Sequence, residues 1–287
     1  GKELPIGTTS SLAPSGGKGL RIRGLSERWQ PIVTIIAHRG ASAIAPENTL
    51  AAVNLAWEHG ADGVEIDIHL TRDNRIMVMH DENTKRTAGV KHIIRKTTSA
   101  ELRTLDVGRL KSDAFTGEKM PFLEEIIDTV PDGKKLFVEI KCGEEMFPFL
   151  KDIIEKSRIK EQIILIGFGF HVMAACKKVL PDIPACWLCS LENGKSGTQI
   201  LKSHDYKKPL AEAVADTAAA GINCIDVRHT HVDRACVDAA HDHGLFVAAW
   251  TVNRQKDFRR LRDAGVDGIT TDTPGEMIRL RETSSVE

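Results

Sequence analysis

The sequence predicts an α/β fold, a (β/α)8 TIM barrel with a small insertion after the second strand. From Val33 onward, eight short apolar runs alternate with stretches of helical periodicity, and such alternation is typical of parallel strands joined by crossover helices. No glycine-rich dinucleotide loop follows the first run, because Gly40-Ala41-Ser42 does not continue as G-x-G-x-x-G. The open, doubly wound sheet is therefore the weaker structural alternative.

The eight apolar runs are the predicted barrel strands, since short β-branched runs are typical of strands buried in a parallel sheet. The predicted strands are residues 32–38, 63–69, 135–141, 162–168, 185–190, 222–227, 245–251 and 267–271. The helices predicted between them are residues 49–57, 122–130, 146–156, 172–179, 210–220, 234–243 and 256–264.

One segment interrupts this alternation after the second predicted strand. Asp73-Asn74 stands between two apolar runs, which predicts a hairpin turn. The stretch that follows is polar and lacks long apolar periodicity. We therefore predict one barrel domain over residues 32–287, with an insertion at about residues 71–120 over the barrel mouth and an N-terminal extension at residues 1–31.

Composition argues against some classes of function. The chain of 287 residues has a net charge of -1, which argues against a nucleic-acid partner. No apolar stretch is long enough to suggest a membrane span. The chain starts at Gly1, and residues 7–19 are rich in Gly, Ser, Thr and Pro, as in a linker. These features predict an exported protein, periplasmic or secreted, with a cytoplasmic protein as the alternative.

The six cysteines fall mostly within apolar patterns, where cysteine packs as a small hydrophobic residue. Cys186 and Cys189 have the spacing of half a zinc or redox motif, but no second C-x-x-C exists in the sequence. We therefore expect buried free thiols rather than a metal site.

Histidine and arginine stand at the ends of apolar runs. The first predicted strand ends in His38 and Arg39, and the apolar run of the hairpin ends in His80. Barrel enzymes build their sites at the carboxyl ends of their strands. Arginine presents a planar fork for phosphate or carboxylate, and histidine exchanges protons near neutral pH. The pattern indicates acid–base chemistry on an anion.

Three acidic residues lie on two predicted strands. Because side chains alternate between the faces of a strand, Glu65 and Asp67 share one face, and Glu139 shares its face with Lys141. If neighbouring strands bring these carboxylates together, a hard divalent cation balances their charge, and Lys141 can bind a phosphate oxygen. The alternatives are acids that face solvent and a plain surface ion pair between Glu139 and Lys141.

Trp250, His69 and Asp272 also lie near the ends of predicted strands. Trp250 ends the seventh apolar run and either walls a substrate pocket or packs in the core. His69 shares the strand parity of Glu65 and Asp67 and is a minor candidate. Asp272 is predicted to cap the last helix, with no chemical role.

Seven short segments resemble those of a known family, the glycerophosphodiester phosphodiesterases, and they occur in the same order along nearly the whole chain. The segments are His38-Arg39-Gly40, Pro46-Glu47-Asn48-Thr49, Glu65-Ile66-Asp67, Val78-Met79-His80-Asp81, Glu139-Ile140-Lys141, Trp250-Thr251-Val252-Asn253 and Thr271-Asp272-Thr273-Pro274.

The resemblance implies a barrel enzyme that hydrolyses a small-molecule glycerophosphodiester to glycerol 3-phosphate and an alcohol. It implies a divalent cation, Mg²⁺ or Ca²⁺, and two histidines that act as acid and base. It also implies that Glu47 orients Arg39 or its loop. The residues that it assigns are Glu65, Asp67 and Glu139 to the cation, His38 and His80 to proton transfer, and Arg39 and Lys141 to the phosphate.

Three alternatives stay open at this point. A lysophospholipase D-like phosphodiesterase acts on lipid substrates and needs an apolar lip near the mouth, and the sequence contains no long apolar loop. A metal-dependent barrel lyase would use the same carboxylates to hold an enolate. A silent phosphate-ligand binder would not depend on His80. The two histidines, together with Arg39 and Lys141, favour phosphoryl chemistry.

Overall fold

The computed structural model describes residues 33–194 and 197–283, and within these residues eight parallel strands close into a barrel. The strands, numbered along the chain, are β1 (Thr34–His38), β2 (Gly63–Leu70), β3 (Ile76–Val78), β4 (Lys135–Ile140), β5 (Ile163–Gly167), β6 (Ala185–Asn193), β7 (Gln199–Lys202), β8 (Lys207–Pro209), β9 (Cys224–Arg228), β10 (Phe246–Trp250) and β11 (Gly268–Thr271). The barrel order is β5-β4-β2-β1-β11-β10-β9-β6, and the pairing of β5 with β6 closes the ring. The predicted (β/α)8 barrel is confirmed.

The seven helices predicted from the sequence are present, with ends that shift by a few residues at most, and two short helices in the inserted segment were not predicted. Within the described ranges the helices are α1 (Leu50–Glu58), α2 (Lys85–Ala88), α3 (Ser99–Leu102), α4 (Leu123–Ile127), α5 (Phe147–Lys156), α6 (Phe170–Val179), α7 (Leu210–Ala219), α8 (Arg234–His241), α9 (Gln255–Ala264) and α10 (Pro274–Thr283). None of the helices in these ranges has both the length and the apolar composition needed to cross a bilayer. The predicted N-terminal extension, residues 1–31, lies outside the described residues.

Apolar clusters pack on both sides of the barrel strands, one between the strands and the helices and one inside the barrel. Outward strand residues pack against helix residues such as Val53 of α1 and Phe258 of α9. The inward cluster includes Phe137 on β4 but not Glu139, which lies two residues nearer the carboxyl end. The interior is therefore apolar up to the level at which the acidic side chains begin. The buried members of the inward cluster are Ile36, Phe137, Ile164, Ile166, Cys186, Leu188 and Cys224.

The structure corrects the expectation of free thiols at two positions. Cys186 on β6 and Cys224 on β9 are direct partners in the parallel register and form a disulfide. Their sequence separation of 38 residues carries no signal of this pairing, because the pairing depends on which strands become neighbours. The free cysteines are Cys142, Cys176, Cys189 and Cys236.

The segment after β2 begins with the predicted hairpin. β3 pairs antiparallel with the end of β2, and Asn74 in the turn adopts the left-handed conformation with φ 58°. Asparagine tolerates this conformation better than most residues. The rest of the segment is held by its own small apolar cluster, so it has a defined position at the barrel mouth. The buried members of that cluster are Met77, Met79, Ile94, Leu102, Val107 and Met120.

One part of the sheet was not predicted from the sequence. β6 continues beyond the barrel and pairs antiparallel with β7, which pairs with β8. All three residues of β8 are exposed, and a strand this short and polar has no apolar alternation to reveal it. The extension carries the loop of His204 to the edge of the cavity described below.

The turn after β1 predicts a large difference between two glycine substitutions. Gly40 (φ +82) and Gly60 (φ +87) both have positive φ. A Cβ atom added at Gly40 would lie 2.5 Å from the carbonyl carbon of Ala52, whereas one added at Gly60 would face open space. We expect Gly60→Ala to lower the free energy of unfolding by about 1 kcal/mol and Gly40→Ala by about 3 kcal/mol, because overpacking adds to the strain. Urea unfolding measures both, and equal losses would contradict the steric argument.

Candidate active site

Three buried carboxylates meet at the carboxyl ends of two neighbouring strands. Asp67 on β2 is the register partner of Glu139 on β4, and Glu65 lies two residues before Asp67 on the same face. All three residues are buried, and each offers one oxygen that lies within 4.8 Å of the other two. The structure therefore brings together the three acids that the sequence singles out.

Burial and mutual repulsion make this acidic cluster unfavourable in its ionised form. Burial raises the pKa of Glu65 well above its usual range, and the charges of Asp67 and Glu139 add to the effect. Burial, together with the charge of Asp67, raises the pKa of Glu139 to about 7. At Asp67 the effect of burial is outweighed by Lys141 and Arg39, which hold the pKa of this acid below its usual range. Glu65 and Glu139 thus favour the protonated form unless more positive charge enters.

The donor set fits a hard divalent cation. Glu65 Oε2 accepts the backbone N–H of Arg39 at 3.0 Å, whereas Glu65 Oε1 is buried without a hydrogen-bond partner. A buried oxygen without a partner is costly, and carboxylate oxygens are the ligands that Mg²⁺ and Ca²⁺ prefer. Glu65, Asp67 and Glu139 can therefore hold one such ion.

Arg39 and Lys141 balance part of the acidic charge. Lys141 Nζ lies 2.7 Å from Glu139 Oε1 and 3.2 Å from Asp67 Oδ1. Arg39 Nε lies 3.2 Å from Asp67 Oδ2, and Arg39 Nη1 donates to Glu47 Oε1 at 2.9 Å. Both side chains keep a small exposed fraction, 17% for Arg39 and 15% for Lys141. They are thus accessible to an anion at the barrel mouth.

A carboxylate from the loop after β11 orients His38. His38 Nδ1 donates to Asp272 Oδ1 at 2.7 Å, and Asp272 also accepts from Ser42 Oγ at 3.0 Å and from Asn253 Nδ2 at 2.6 Å. Burial alone would raise the pKa of Asp272, but the hydrogen bonds, led by that of His38, lower it to about 2. The structure thus corrects the prediction that Asp272 is a helix cap without a chemical role, because its carboxylate holds the imidazole of His38.

His80 also has a carboxylate partner. Its Nδ1 donates to Asp81 Oδ1 at 2.7 Å, and Arg86 donates to both oxygens of Asp81, at 2.9 Å from Nε and 3.1 Å from Nη2. These hydrogen bonds, led by that of Arg86, lower the pKa of Asp81 to about 2. Burial lowers the pKa of His80, although the charge of Asp67 and the hydrogen bond to Asp81 oppose this effect. The imidazole is therefore mainly neutral near pH 7, as a proton acceptor requires.

Arg86 connects the two sides of the site, although it was not predicted from the sequence. Its Nη1 and Nη2 donate to the two oxygens of Glu47 at 2.6 Å and 2.8 Å, and Glu47 in turn accepts from Arg39. The minor candidate His69 supports the same region, because its Nε2 donates to the carbonyl of His80 at 3.1 Å. Arg86 stands five residues after Asp81, and this spacing was the signal in the sequence that the two could pair. The contact itself depends on the short helix α2, in which Arg86 lies.

Asn48 is another residue whose role was not predicted from the sequence. Its side chain donates to Asp67 Oδ2 at 2.8 Å and accepts the backbone N–H of Asp67 at 3.1 Å. Its φ of 60° places it in the left-handed region, which asparagine tolerates. Asn48 therefore fixes the orientation of one acid, although nothing in its local pattern reveals a partner on β2.

Trp250 lies at the barrel mouth and contacts an aromatic neighbour. Its ring meets Phe168 edge-on with ring centroids 5.4 Å apart, and its Nε1 donates to the carbonyl of Asp226 at 3.0 Å. Phe168 lines a cavity of about 380 Å³ together with Glu139 and Lys141. Trp250 thus supports the aromatic wall of this cavity through Phe168.

The assembled groups can move protons next to a bound anion. Because a carboxylate engages each Nδ1, the Nε2 atoms of His38 and His80 are the ring nitrogens that could exchange protons with a ligand. Arg39, Lys141 and a cation held by the three acids can stabilise negative charge on the anion. This combination suits the transfer or hydrolysis of a phosphoryl group.

Comparisons with known proteins agree with this chemistry. The sequence model of the glycerophosphoryl diester phosphodiesterase family matches residues 38–276. A glycerophosphodiester phosphodiesterase of Caldanaerobacter subterraneus subsp. tengcongensis is 30% identical over 251 residues, which cover 86% of this chain and 96% of that protein. The structure of an Oleispira antarctica phosphodiesterase with the product sn-glycerol-3-phosphate matches with a TM-score of 0.76 and 25% identity, over 88% of this chain and 97% of that chain. A Thermotoga maritima glycerophosphodiester phosphodiesterase matches with a TM-score of 0.68 and 26% identity, over 86% and 98%.

The strain in the acidic cluster predicts that Glu65→Gln stabilises the protein when chelator is present. The folded protein holds the Glu65 proton to a higher pH than the unfolded chain does, so this group lowers stability as pH rises above its usual pKa of 4.5. Glutamine keeps the acceptor for Arg39 and removes the charge. We expect a gain in the free energy of unfolding of about 1 kcal/mol at pH 8 that disappears at low pH.

Urea unfolding with chelator at acidic and alkaline pH measures this effect. Glu155→Gln is the matched control, because Glu155 forms only an exposed pair with Lys151, and we expect a change within about 0.5 kcal/mol. A Glu65→Gln protein that is less stable than the parent at pH 8 would contradict the account of the cluster.

Proposed function

The chain belongs to the glycerophosphoryl diester phosphodiesterase family and is a phosphoric diester hydrolase, and on this basis we propose that it hydrolyses glycerophosphodiesters to glycerol 3-phosphate and an alcohol. One observation carries the proposal, a buried acidic cluster flanked by two imidazoles that each have their own carboxylate partner. The product named in the Oleispira antarctica structure supports the same reaction.

A divalent cation, Mg²⁺ or Ca²⁺, is part of the proposal. Glu65, Asp67 and Glu139 would hold it, and their crowded oxygens and the partnerless Glu65 Oε1 support this assignment. When bound, such an ion stabilises negative charge on the phosphoryl oxygens. Binding would displace the protons that Glu65 and Glu139 favour in its absence.

Arg39 and Lys141 bind and orient the phosphate in this proposal. Both now form ion pairs with Asp67, so a cation that takes over the acidic charge frees their N–H groups for the substrate. Glu47 holds the Arg39 guanidinium from the side, which limits its rotation. The fork of arginine then gives direction to the bound phosphate, and lysine adds a point charge.

His38 and His80 divide the two proton transfers. The neutral imidazole favoured at His80 accepts the proton of the attacking hydroxyl, which belongs to water or to the neighbouring glycerol carbon, as its oxygen bonds to phosphorus. His38 donates a proton to the alcohol oxygen as its bond to phosphorus breaks. Attack by the glycerol hydroxyl gives a cyclic phosphate, which a water molecule then opens to glycerol 3-phosphate with the two histidines in exchanged roles. Asp81 and Asp272 hold the two rings in place.

Substitution of either histidine tests the proposed function. We expect His38→Asn and His80→Asn to lower kcat/KM for glycerophosphocholine by at least about 100-fold, because each removes one proton transfer. With glycerophospho-p-nitrophenol, whose leaving group needs no proton, His38→Asn recovers most of its activity and His80→Asn does not. Release of glycerol 3-phosphate in the presence of Mg²⁺ or Ca²⁺ measures the rates.

The matched control is His243→Asn, since His243 is exposed and only caps the Ala239 carbonyl of helix α8. We expect it to leave the rate unchanged. Full activity of either His38→Asn or His80→Asn would contradict the mechanism. Faster hydrolysis of lysophosphatidylcholine than of glycerophosphocholine would instead support the lysophospholipase D-like alternative.

A further inference from the structure

Three large apolar side chains are exposed at the barrel mouth. Ile44 lies in the loop after β1, Val90 follows α2, and Leu110 lies later in the inserted segment, and their exposed fractions are 57%, 47% and 58%. Single exposed aliphatic residues are common on protein surfaces. In the described residues the other exposed large apolar side chains are Phe149 and Val179, each at 36% and on outer helices.

The three side chains belong to one surface. A Cβ atom placed on the glycine before Val90 would lie 3.7 Å from Leu110 Cδ1. On the other side, Lys111 Nζ donates to the carbonyl of Ser42 at 2.8 Å, which joins the Leu110 segment to the loop of Ile44. The segment of Leu110 therefore contacts both the segment of Val90 and the loop of Ile44. We call Ile44, Val90 and Leu110 the apolar rim.

Basic side chains flank the apolar rim. Lys91 follows Val90 in the chain, and Arg109 and Lys111 stand on either side of Leu110, all exposed. Residues 85–119 contain nine Lys and Arg but four Asp and Glu, in a chain of net charge -1. This segment thus carries an excess of positive charge.

Two acids of this segment, Asp106 and Glu118, accept backbone N–H groups. Asp106 accepts the backbone N–H groups of Gly108, Arg109 and Gly117. Glu118 accepts the backbone N–H of Ala51 at 3.2 Å. Asp106 also offsets part of the charge of Arg109, and the segment still carries five more basic than acidic residues.

We propose that the apolar rim and the flanking Lys91, Arg109 and Lys111 form a docking surface for anionic phospholipid bilayers. Aliphatic tips enter the boundary between head groups and acyl chains, while the cations remain at the anionic head groups. The cations around the rim complement the charge of an anionic bilayer. Three aliphatic side chains also cover far less area than a stable protein interface needs, which argues against a protein partner.

The docking surface lies at the same end of the barrel as the proposed active site. Ile44 belongs to the loop that also carries Arg39 and Glu47, and Val90 belongs to the segment that also carries Arg86. A docked molecule therefore turns its site toward the membrane, where diesters derived from lipids arise. Docking itself requires no catalysis, so it can be tested apart from the proposed reaction.

Vesicle sedimentation tests the proposal. We expect the protein to sediment with phosphatidylcholine–phosphatidylglycerol vesicles but not with phosphatidylcholine alone, and to dissociate as NaCl rises from about 0.1 M to about 1 M. Two triple variants, I44S/V90S/L110S and K91E/R109E/K111E, are each expected to lower the partition coefficient by at least about tenfold. Hydrolysis of glycerophosphocholine in solution stays unchanged in both, which verifies their folding.

Matched controls remove similar groups elsewhere. F149S/V179S removes the other exposed apolar side chains, and K178E/K256E/R259E reverses exposed cations on α6 and α9, so we expect both to bind as the parent does. The proposal is overturned if the parent ignores anionic vesicles, or if the controls lose binding equally. It is also overturned if I44S/V90S/L110S turns a dimer into a monomer in light scattering while no vesicle binds. Docking without any diester hydrolysis would contradict the proposed function alone.

Discussion

The crowding of three buried carboxylates is the constraint on which the rest of this site depends. Glu65, Asp67 and Glu139 are brought together by strand register and cannot all ionise without added positive charge. Arg39 and Lys141 supply part of that charge. The raised pKa values of Glu65 and Glu139, and the Glu65 oxygen without a hydrogen-bond partner, show that part of the acidic charge remains unbalanced. The barrel thus maintains a cluster whose electrostatic repulsion lowers stability, as functional sites commonly do. A bound cation would relieve that repulsion.

The groups around the cluster are held by ion pairs, two of which join distant parts of the chain. Asp272 fixes His38, Asp81 fixes His80, and Arg86 ties Asp81 to Glu47. Each imidazole is therefore oriented by a carboxylate that is itself bound by other donors. Such support matters because proton transfer requires both rings to keep their positions during the reaction. The inserted segment supplies Asp81 and Arg86, so it completes the site as well as covering its edge.

Local patterns in the sequence sufficed for the strands, the acids and the strand-end histidines, because β-branched runs and side-chain alternation are local properties. The parity of Glu65 and Asp67 alone assigns them to one face of their strand. The partner of His38 could not be found in this way, since His38 and Asp272 are 234 residues apart. The Cys186–Cys224 disulfide and the contact of Lys111 with the Ser42 carbonyl likewise depend on which elements become neighbours in the folded barrel.

Anomalous diffraction from crystals soaked with Mn²⁺ tests the central claim most directly. Manganese occupies the oxygen-ligand sites of Mg²⁺ and Ca²⁺, and its anomalous signal locates it independently of any assumed chemistry. We expect one dominant peak within about 2.5 Å of oxygens from Glu65, Asp67 and Glu139, with Arg39 and Lys141 displaced from Asp67. A dominant peak elsewhere, or none while the three acids remain crowded, would contradict it.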